Sequence, residues 1–305
     1  MLPAYIAAGV IEPVRSLGLV PHFYRTGTDL LYSVPDLVAE LHRSGATAVI
    51  VLHPMGRQQE LDGLVAACRE RGALLIEDCA QGLFSEGIGT RGDVALYSLT
   101  KFLGTVDGAI VVSRGALPAE NACARPVSAW IAGAWLRAHL LANRCLHAAS
   151  RPWVCDALLH VSGFLHERYY ALSGSEYRAF PPSQETLEAV ARLDAQRLVA
   201  QRRRNVQQLY ERLSSPALRL VYPEDRPGWV PLAVPAFAAH RAGVQARARR
   251  AGVFLATLCQ RWDHLPAGAD HSAERYYLDH HVLIPVNEHI DDRRMSDVVK
   301  VLNEI

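Results

Sequence analysis

Of the 32 basic residues in this 305-residue chain only two are lysines, Lys101 and Lys300. The rest are arginines, whose guanidinium keeps its proton. A lysine amine can lose one and attack a carbonyl. Lys300 falls in Asp292–Ile305, patterned as a surface helix, and reads as a solvated charge. Lys101 has company. Asp78 ends one apolar run and is followed by Cys79-Ala80-Gln81; Ser98 ends another, three residues before Lys101. A carboxylate, a hydroxyl and a reactive amine in one crevice are what pyridoxal phosphate requires. The acid keeps the pyridine nitrogen protonated so that the ring accepts electrons, the amine forms a Schiff base and moves a proton, and the hydroxyl holds a phosphate oxygen. A plainer account stays open at this point, with Asp78 as a helix N-cap and Lys101 as a surface charge.

Three other patterns invite chemistry and do not sustain it. Gly87-Ile88-Gly89-Thr90-Arg91-Gly92 fits the dinucleotide pattern G-x-G-x-x-G, which works where the glycines open a helix. Here they run into Val94–Ser98, which reads as strand, so a loop is expected. Ser98-Leu99-Thr100-Lys101 fits the S-x-x-K of penicillin-binding acyl enzymes, but neither lysine can supply the Lys-Thr-Gly strand that those also need. Asp263-His264, Asp270-His271 and Asp279-His280-His281 lack the i, i+4 spacing of a zinc pair and lie in a polar tract. Surface histidines are expected, and no metal.

The elements that must position Asp78, Ser98 and Lys101 alternate. Pro35–Ser44 and Glu60–Arg71 have helical spacing and stop at Gly45 and Gly72. Thr47–Leu52, Ala73–Ile76 (running into Glu77-Asp78), Asp93–Ser98 and Gly108–Ser113 are apolar runs of the kind buried on both faces of a sheet. This rhythm predicts an α/β fold, a mixed and mostly parallel sheet flanked by helices. In open sheets of that kind ligands bind beyond the carboxyl ends of the strands, where Asp78 and Ser98 stand. Residues 118–172 read as a helical insertion. Ala129–Ala149 is apolar, but Arg137, His139, Arg144 and His147 interrupt it, so a buried or interface helix is expected rather than a membrane span. After Pro181-Pro182 one long helix is expected from Gln184 to Leu213, then a smaller C-terminal α+β region. The division expected is 1–180 and 181–305.

Composition bounds the rest. The chain is 50% hydrophobic and 21% charged with a net charge of +1, which favours neither nucleic acid nor an anionic membrane as main partner. Six cysteines in a chain of this size read as reduced thiols, and the N-terminus lacks a basic, cleavable leader, so a cytoplasmic location is expected.

Leu75-Ile76-Glu77-Asp78-Cys79-Ala80-Gln81, Gly92-Asp93-Val94-Ala95-Leu96-Tyr97-Ser98-Leu99-Thr100-Lys101 and Asp107-Gly108-Ala109-Ile110-Val111 together resemble the central block of the DegT/DnrJ/EryC1/StrS family, the sugar aminotransferases of pyridoxal phosphate fold type I. The likeness extends to Val51–Gly56, Leu193-Asp194, Arg202–Asn205 and Ile284–Val286, and is weakest over 118–172. It implies that Asp78 pairs with the pyridine nitrogen, Gln81 contacts the ring hydroxyl, Ser98 binds phosphate and Lys101 forms the Schiff base. It further implies a homodimer that passes an amino group from an amino-acid donor to a keto sugar carried on a nucleotide. A minority of the family are sugar dehydratases with histidine in place of the lysine, so Lys101 favours transamination. The family's Gly-Ser/Thr helix start, which cups the phosphate, belongs to a segment expected ahead of this chain's first residue. Its Gly-x-Asn-x-Arg segment corresponds to Gly174-Ser175-Glu176-Tyr177-Arg178, where Glu176 would repel a phosphate. These two departures favour an alternative, a non-catalytic relative that serves as a binding or regulatory subunit.

Overall fold

The computed structural model describes residues 1–116, 123–148, 152–173, 180–258, 265–266 and 270–305. They form two compact units, one of Met1–Ser98, Ile110–Gly115 and Asp194–Ile305, the other of Leu99–Ala109 and Ala116–Leu193. Glu176 and the Asp263-His264 pair lie outside the described residues.

The first unit opens with β1 (Leu2–Pro3), α1 (Ala8–Ser16) and β2 (Phe23–Tyr24), followed by α2 (Val34–Ser44), β3 (Ala48–Leu52), α3 (Asp62–Arg71), β4 (Leu74–Asp78) and β5 (Val94–Ser98). Strands β3, β4 and β5 are parallel, in a register that sets Leu52 beside Asp78 and Asp78 beside Leu96. β6 (Ala109–Ser113) completes the order β3-β4-β5-β6. The helices start and stop where local chemistry dictates. Ser33 Oγ accepts the Asp36 amide at the head of α2, and Gly45 and Gly72 close α2 and α3 in the left-handed region at φ 64°. Leu37 and Leu41 of α2 and Leu64, Val65 and Cys68 of α3 are buried with Val49, Val51 and Leu75 of the sheet. Each large side chain so buried contributes about 1.5–3 kcal/mol.

The second unit contains α4 (Thr100–Leu103), α5 (Val127–Ala148), α6 (Pro152–Ser173) and α7 (Gln184–Ala191). Helices α5 and α6 pack together, burying Ala132, Leu136, Ala142 and Leu146. Trp130 and Leu141 of α5 and Trp153 of α6 are exposed. No helix among the described residues is long and apolar enough to cross a membrane. Asp107 gathers Arg125, Ser183 and Thr186, and the Ser183 hydroxyl caps α7.

The single helix expected over Gln184–Leu213 is two, α7 and α8 (Ala195–Arg212). The break falls where Asp194 turns its carboxylate to accept the Arg197 amide, beginning a new helix instead of continuing the old one. With α8 the chain is back in the first unit, adding β7 (Arg219–Leu220), β8 (Val234–Phe237), α9 (Arg241–Arg250), α10 (Ser272–His280), β9 (His281–Ile284) and α11 (Asp292–Asn303). The three strands form an antiparallel sheet in the order β7-β8-β9. Its core of Val206, Leu209, Val234, Val282, Ile284 and Met295 is continuous with Tyr5, Leu52 and Met55.

Two histidines expected at the surface are buried. His281 begins β9 with Nδ1 against the Tyr277 carbonyl at 2.8 Å and Nε2 accepting the Leu258 amide at 3.0 Å. Burial lowers its pKa to about 4, so it packs as a neutral ring. His271 lies beside Glu274 at the head of α10, also buried. The polar sequence around them hid that α10 turns one face inward and that β9 is buried along its whole length.

Candidate active site

Successive side chains of a strand point to opposite faces, so Glu77 and Asp78 at the end of β4 must serve two surroundings. Glu77 is fully buried, and both carboxylate oxygens are saturated. Oε2 accepts His53 Nε2 at 2.8 Å and the Gly89 amide at 2.7 Å; Oε1 accepts the amides of Arg91 at 2.8 Å and Gly92 at 2.5 Å. The glycine-rich loop is therefore a loop, as its strand-bound context implies, and the anion that its amides hold is the protein's own Glu77. Gly87 and Gly89 have φ of 78° and 70°, and a Cβ on Gly92 would stand 2.9 Å from the Leu75 carbonyl. Burial pushes the Glu77 pKa up. The hydrogen bonds from His53, Gly92 and Arg91 outweigh it and hold the group at about 2.

His53 links this network to the end of β3. Its Nδ1 accepts the Gln59 amide at 3.2 Å, which leaves Nε2 as the protonated nitrogen that donates to Glu77. Ligand atoms of His53, Glu77 and Cys79 lie within 4.8 Å of one another, a grouping that could suggest a metal. Their chemistry is otherwise occupied. Both His53 nitrogens and both Glu77 oxygens are hydrogen-bonded, and burial, with Glu77 and Asp78 nearby, pushes the Cys79 thiol up and keeps its proton on. The trio is a closed structural knot.

Asp78 faces the other way and is differently used. It is 8% exposed, and Oδ1 accepts the Ala80 amide at 3.0 Å. Among the described residues no donor takes Oδ2. Gln81, 2% exposed, is fixed by one atom: its Oε1 accepts the Met55 amide at 2.7 Å, and Nε2 has no acceptor among the described residues. Met55 holds that amide in place from a left-handed conformation, φ 51°, which costs a residue with a Cβ about 1–3 kcal/mol. Trp229 Nε1 secures the Met55 carbonyl at 2.9 Å. The turn is pressed against the 79–85 segment so closely that a Cβ on Gly82 would stand 2.5 Å from Gly56 Cα. Ser98, at the end of β5, shares the face of Asp78, because Leu96 is the partner of Asp78 and Ser98 is two residues on.

Asp78, Gln81 and Ser98 thus belong to the carboxyl edge of the sheet in the first unit. Lys101 is exposed on α4, in the second unit. Sequence reasoning singled out Asp78 and Gln81 as candidates but assigned no role to Met55, which bonds Gln81, or to His53, Gln59 and Trp229, which hold the Met55 turn. Only Glu77 left a signal, a carboxylate inside an apolar strand that needed a partner.

A sequence profile of the DegT/DnrJ/EryC1/StrS aminotransferase family matches residues 2–126. GDP-perosamine synthase of Vibrio cholerae is 28% identical over 120 residues, 37% of this chain and 32% of that protein. The dTDP-4-dehydro-2,3,6-trideoxy-D-glucose 4-aminotransferase of Saccharopolyspora spinosa is 32% identical over 114 residues, 35% of this chain and 30% of its own length. The matched stretch spans less than two thirds of these relatives. The solved structure of the sugar aminotransferase CalS13 from Micromonospora echinospora superposes with a TM-score of 0.66 at 19% identity, covering 99% of this chain and 79% of that one. PseC of Helicobacter pylori gives 0.64 at 12%, covering 100% and 79%. At such identities the superpositions speak for the fold, which is that of the type I aminotransferases. Over residues 2–126 the chain thus matches the DegT/DnrJ/EryC1/StrS aminotransferase family, and over its length it shares the fold of the solved structures.

Proposed function

We propose that this chain binds pyridoxal phosphate and transfers an amino group from an amino-acid donor to a keto sugar carried on a nucleotide, as a cytoplasmic homodimer. One observation carries the reading. At the carboxyl edge of the sheet, two nearly buried polar side chains each have one atom anchored and one left over, Asp78 Oδ2 and Gln81 Nε2. Neither spare atom is spent on another protein group, so a ligand placed there meets one acceptor and one donor on side chains that are otherwise nearly buried. A protonated ring nitrogen and a ring hydroxyl are such a ligand's complementary groups, so the residues fit the cofactor's ring. For function we keep the division into 1–180, which holds every assigned cofactor residue, and 181–305.

When bound, the cofactor supplies an aldehyde for amine capture and a ring that takes up electrons as a proton leaves carbon. The chain's residues do the rest. Asp78 keeps the ring nitrogen protonated, and its bond to the Ala80 amide stops the carboxylate from swinging away. Gln81 donates to the ring hydroxyl, and the Ser98 hydroxyl holds a phosphate oxygen. Lys101 anchors the cofactor through its amine. Freed by the incoming donor, that amine then moves the donor's α-proton, the kind of general base work worth about 10²–10⁴ in rate. The keto acid leaves, and the same groups act in reverse order on the keto sugar.

The half-reaction tests this. Protein loaded with pyridoxal phosphate and mixed with glutamate or glutamine should release one equivalent of keto acid per site without any acceptor. A folded, loaded protein that releases none from any proteinogenic amino acid would rule the reading out.

A further inference from the structure

We propose that the buried Glu77–His53 pair is a positioning device for Gln81: it fixes the turn whose Met55 amide captures Gln81 Oε1, and so decides that the NH₂ end of that side chain is the one offered to a ligand. The inference rests on the cofactor reading above and adds to it residues that touch no cofactor.

A glutamine amide has two ends of nearly equal shape, and only its partners decide which end faces which way. Here a single backbone donor decides, the Met55 amide at 2.7 Å from Oε1. Met55 offers that donor only because it is held at φ 51°, in a region that side chains with a Cβ seldom adopt. Left to itself the turn would relax and the donor would turn away. Three anchors prevent this. His53, immediately before the turn, is clamped between Glu77 at 2.8 Å and the Gln59 amide at 3.2 Å. Gln59 in turn donates to the Leu52 carbonyl at 2.8 Å, tying the exit of the turn to the end of β3. From the opposite side Trp229 Nε1 holds the Met55 carbonyl at 2.9 Å. Glu77 is itself fixed by three loop amides, so the chain of contacts runs from a rigid knot on one face of the sheet to the amide of Gln81. A buried hydrogen-bonded knot this well satisfied, one residue from Asp78, thereby has a role in the chemistry of the other face.

The test compares His53→Ala, His53→Gln and Trp229→Phe with the wild type and with Gln81→Ala. The readouts are the visible band of bound pyridoxal phosphate, its pH midpoint, and hydrogen exchange of the Met55 amide in cofactor-free protein. Gln81→Ala should weaken cofactor binding about tenfold, the value of one hydrogen bond, and move the pH midpoint. His53→Ala and Trp229→Phe should move the midpoint in the same direction and raise Met55 exchange at least about tenfold. His53→Gln, which keeps one donor and one acceptor, should restore most of both. Loss of thermal stability with the band, its midpoint and Met55 protection unmoved would mean a merely structural knot and would overturn the proposal. A wild-type protein that shows no band at saturating cofactor would overturn the cofactor reading and this inference with it. A wild-type band that Gln81→Ala shifts and both turn variants leave in place would overturn this inference alone.

Discussion

The two faces at the end of β4 are built from neighbouring carboxylates and have opposite characters. On the Glu77 face every polar atom is satisfied: four donors surround one carboxylate, and the glycine-rich loop exists to bring three of them. On the Asp78 face two side chains are each half satisfied. The first arrangement is what stability selects, since unpartnered buried groups cost free energy. The second leaves one acceptor and one donor that a ligand can take without breaking a bond within the protein. Similar chemistry at adjacent positions is thus put to different use through the alternation of a strand, one carboxylate closed within the protein and the other left partly open.

Substitutions should separate the two faces. On the proposed cofactor reading the largest effect belongs to Asp78→Asn, which would remove the charge that supports a protonated ring: the proposed transamination should fall by about 10²–10³, with thermal stability little changed. Glu77→Ala should do the reverse in kind, unfolding the protein more easily by about 3–5 kcal/mol because His53 and the amides of Gly89, Arg91 and Gly92 lose their acceptor in a dry interior. Denaturant melts of both variants beside their rates would show the crossing. If Asp78→Asn proved the less stable of the two, the assignment of faces would be wrong.

Acid should sharpen the contrast. The Glu77 pKa falls from its ordinary 4.5 to about 2 on folding, so the folded state holds the carboxylate's charge more firmly than the unfolded chain does. That stability is fully present above pH 4.5 and is lost as the pH falls from there toward 2. The wild type should lose melting temperature through that window, and Glu77→Gln, lower at neutral pH, should lose much less. The smallest effect is at the loop. Gly87→Ala forces a side chain into φ 78° and crowds only the flexible end of Gln58, so it should cost about 1 kcal/mol in a thermal melt.

Much of this was legible in the sequence. The apolar runs of β3, β4, β5 and β6 and the glycine stops of α2 and α3 are local signals that appear within a residue or two of the expected places. But β6, read as buried on both faces, is the last strand of its sheet and leaves Ile110, Val111 and Val112 exposed. Asp78 could be read because it ends such a run. What stayed hidden depends on contacts between distant segments. Met55 looks like an ordinary residue after a proline until its φ and its bonds to Gln81 and Trp229 are seen, and Trp229 is 174 positions away. His281 looked like a surface residue because a polar neighbourhood in sequence is a poor guide to which side of α10 faces the core, and it hid that β9 is buried on both faces. The break between α7 and α8 was masked by continuous helical periodicity, which a single capping aspartate, Asp194, overrides.

Lys101 is the residue on which the account turns, and a spectrum tests it most directly. The purified chain is mixed with pyridoxal phosphate, and its visible absorption is recorded before and after borohydride, beside Lys101→Ala. A yellow band that reduction fixes to the protein, absent in the variant, is the predicted result. A folded wild-type chain that shows no band at saturating cofactor, or a band that survives Lys101→Ala unchanged, would contradict it.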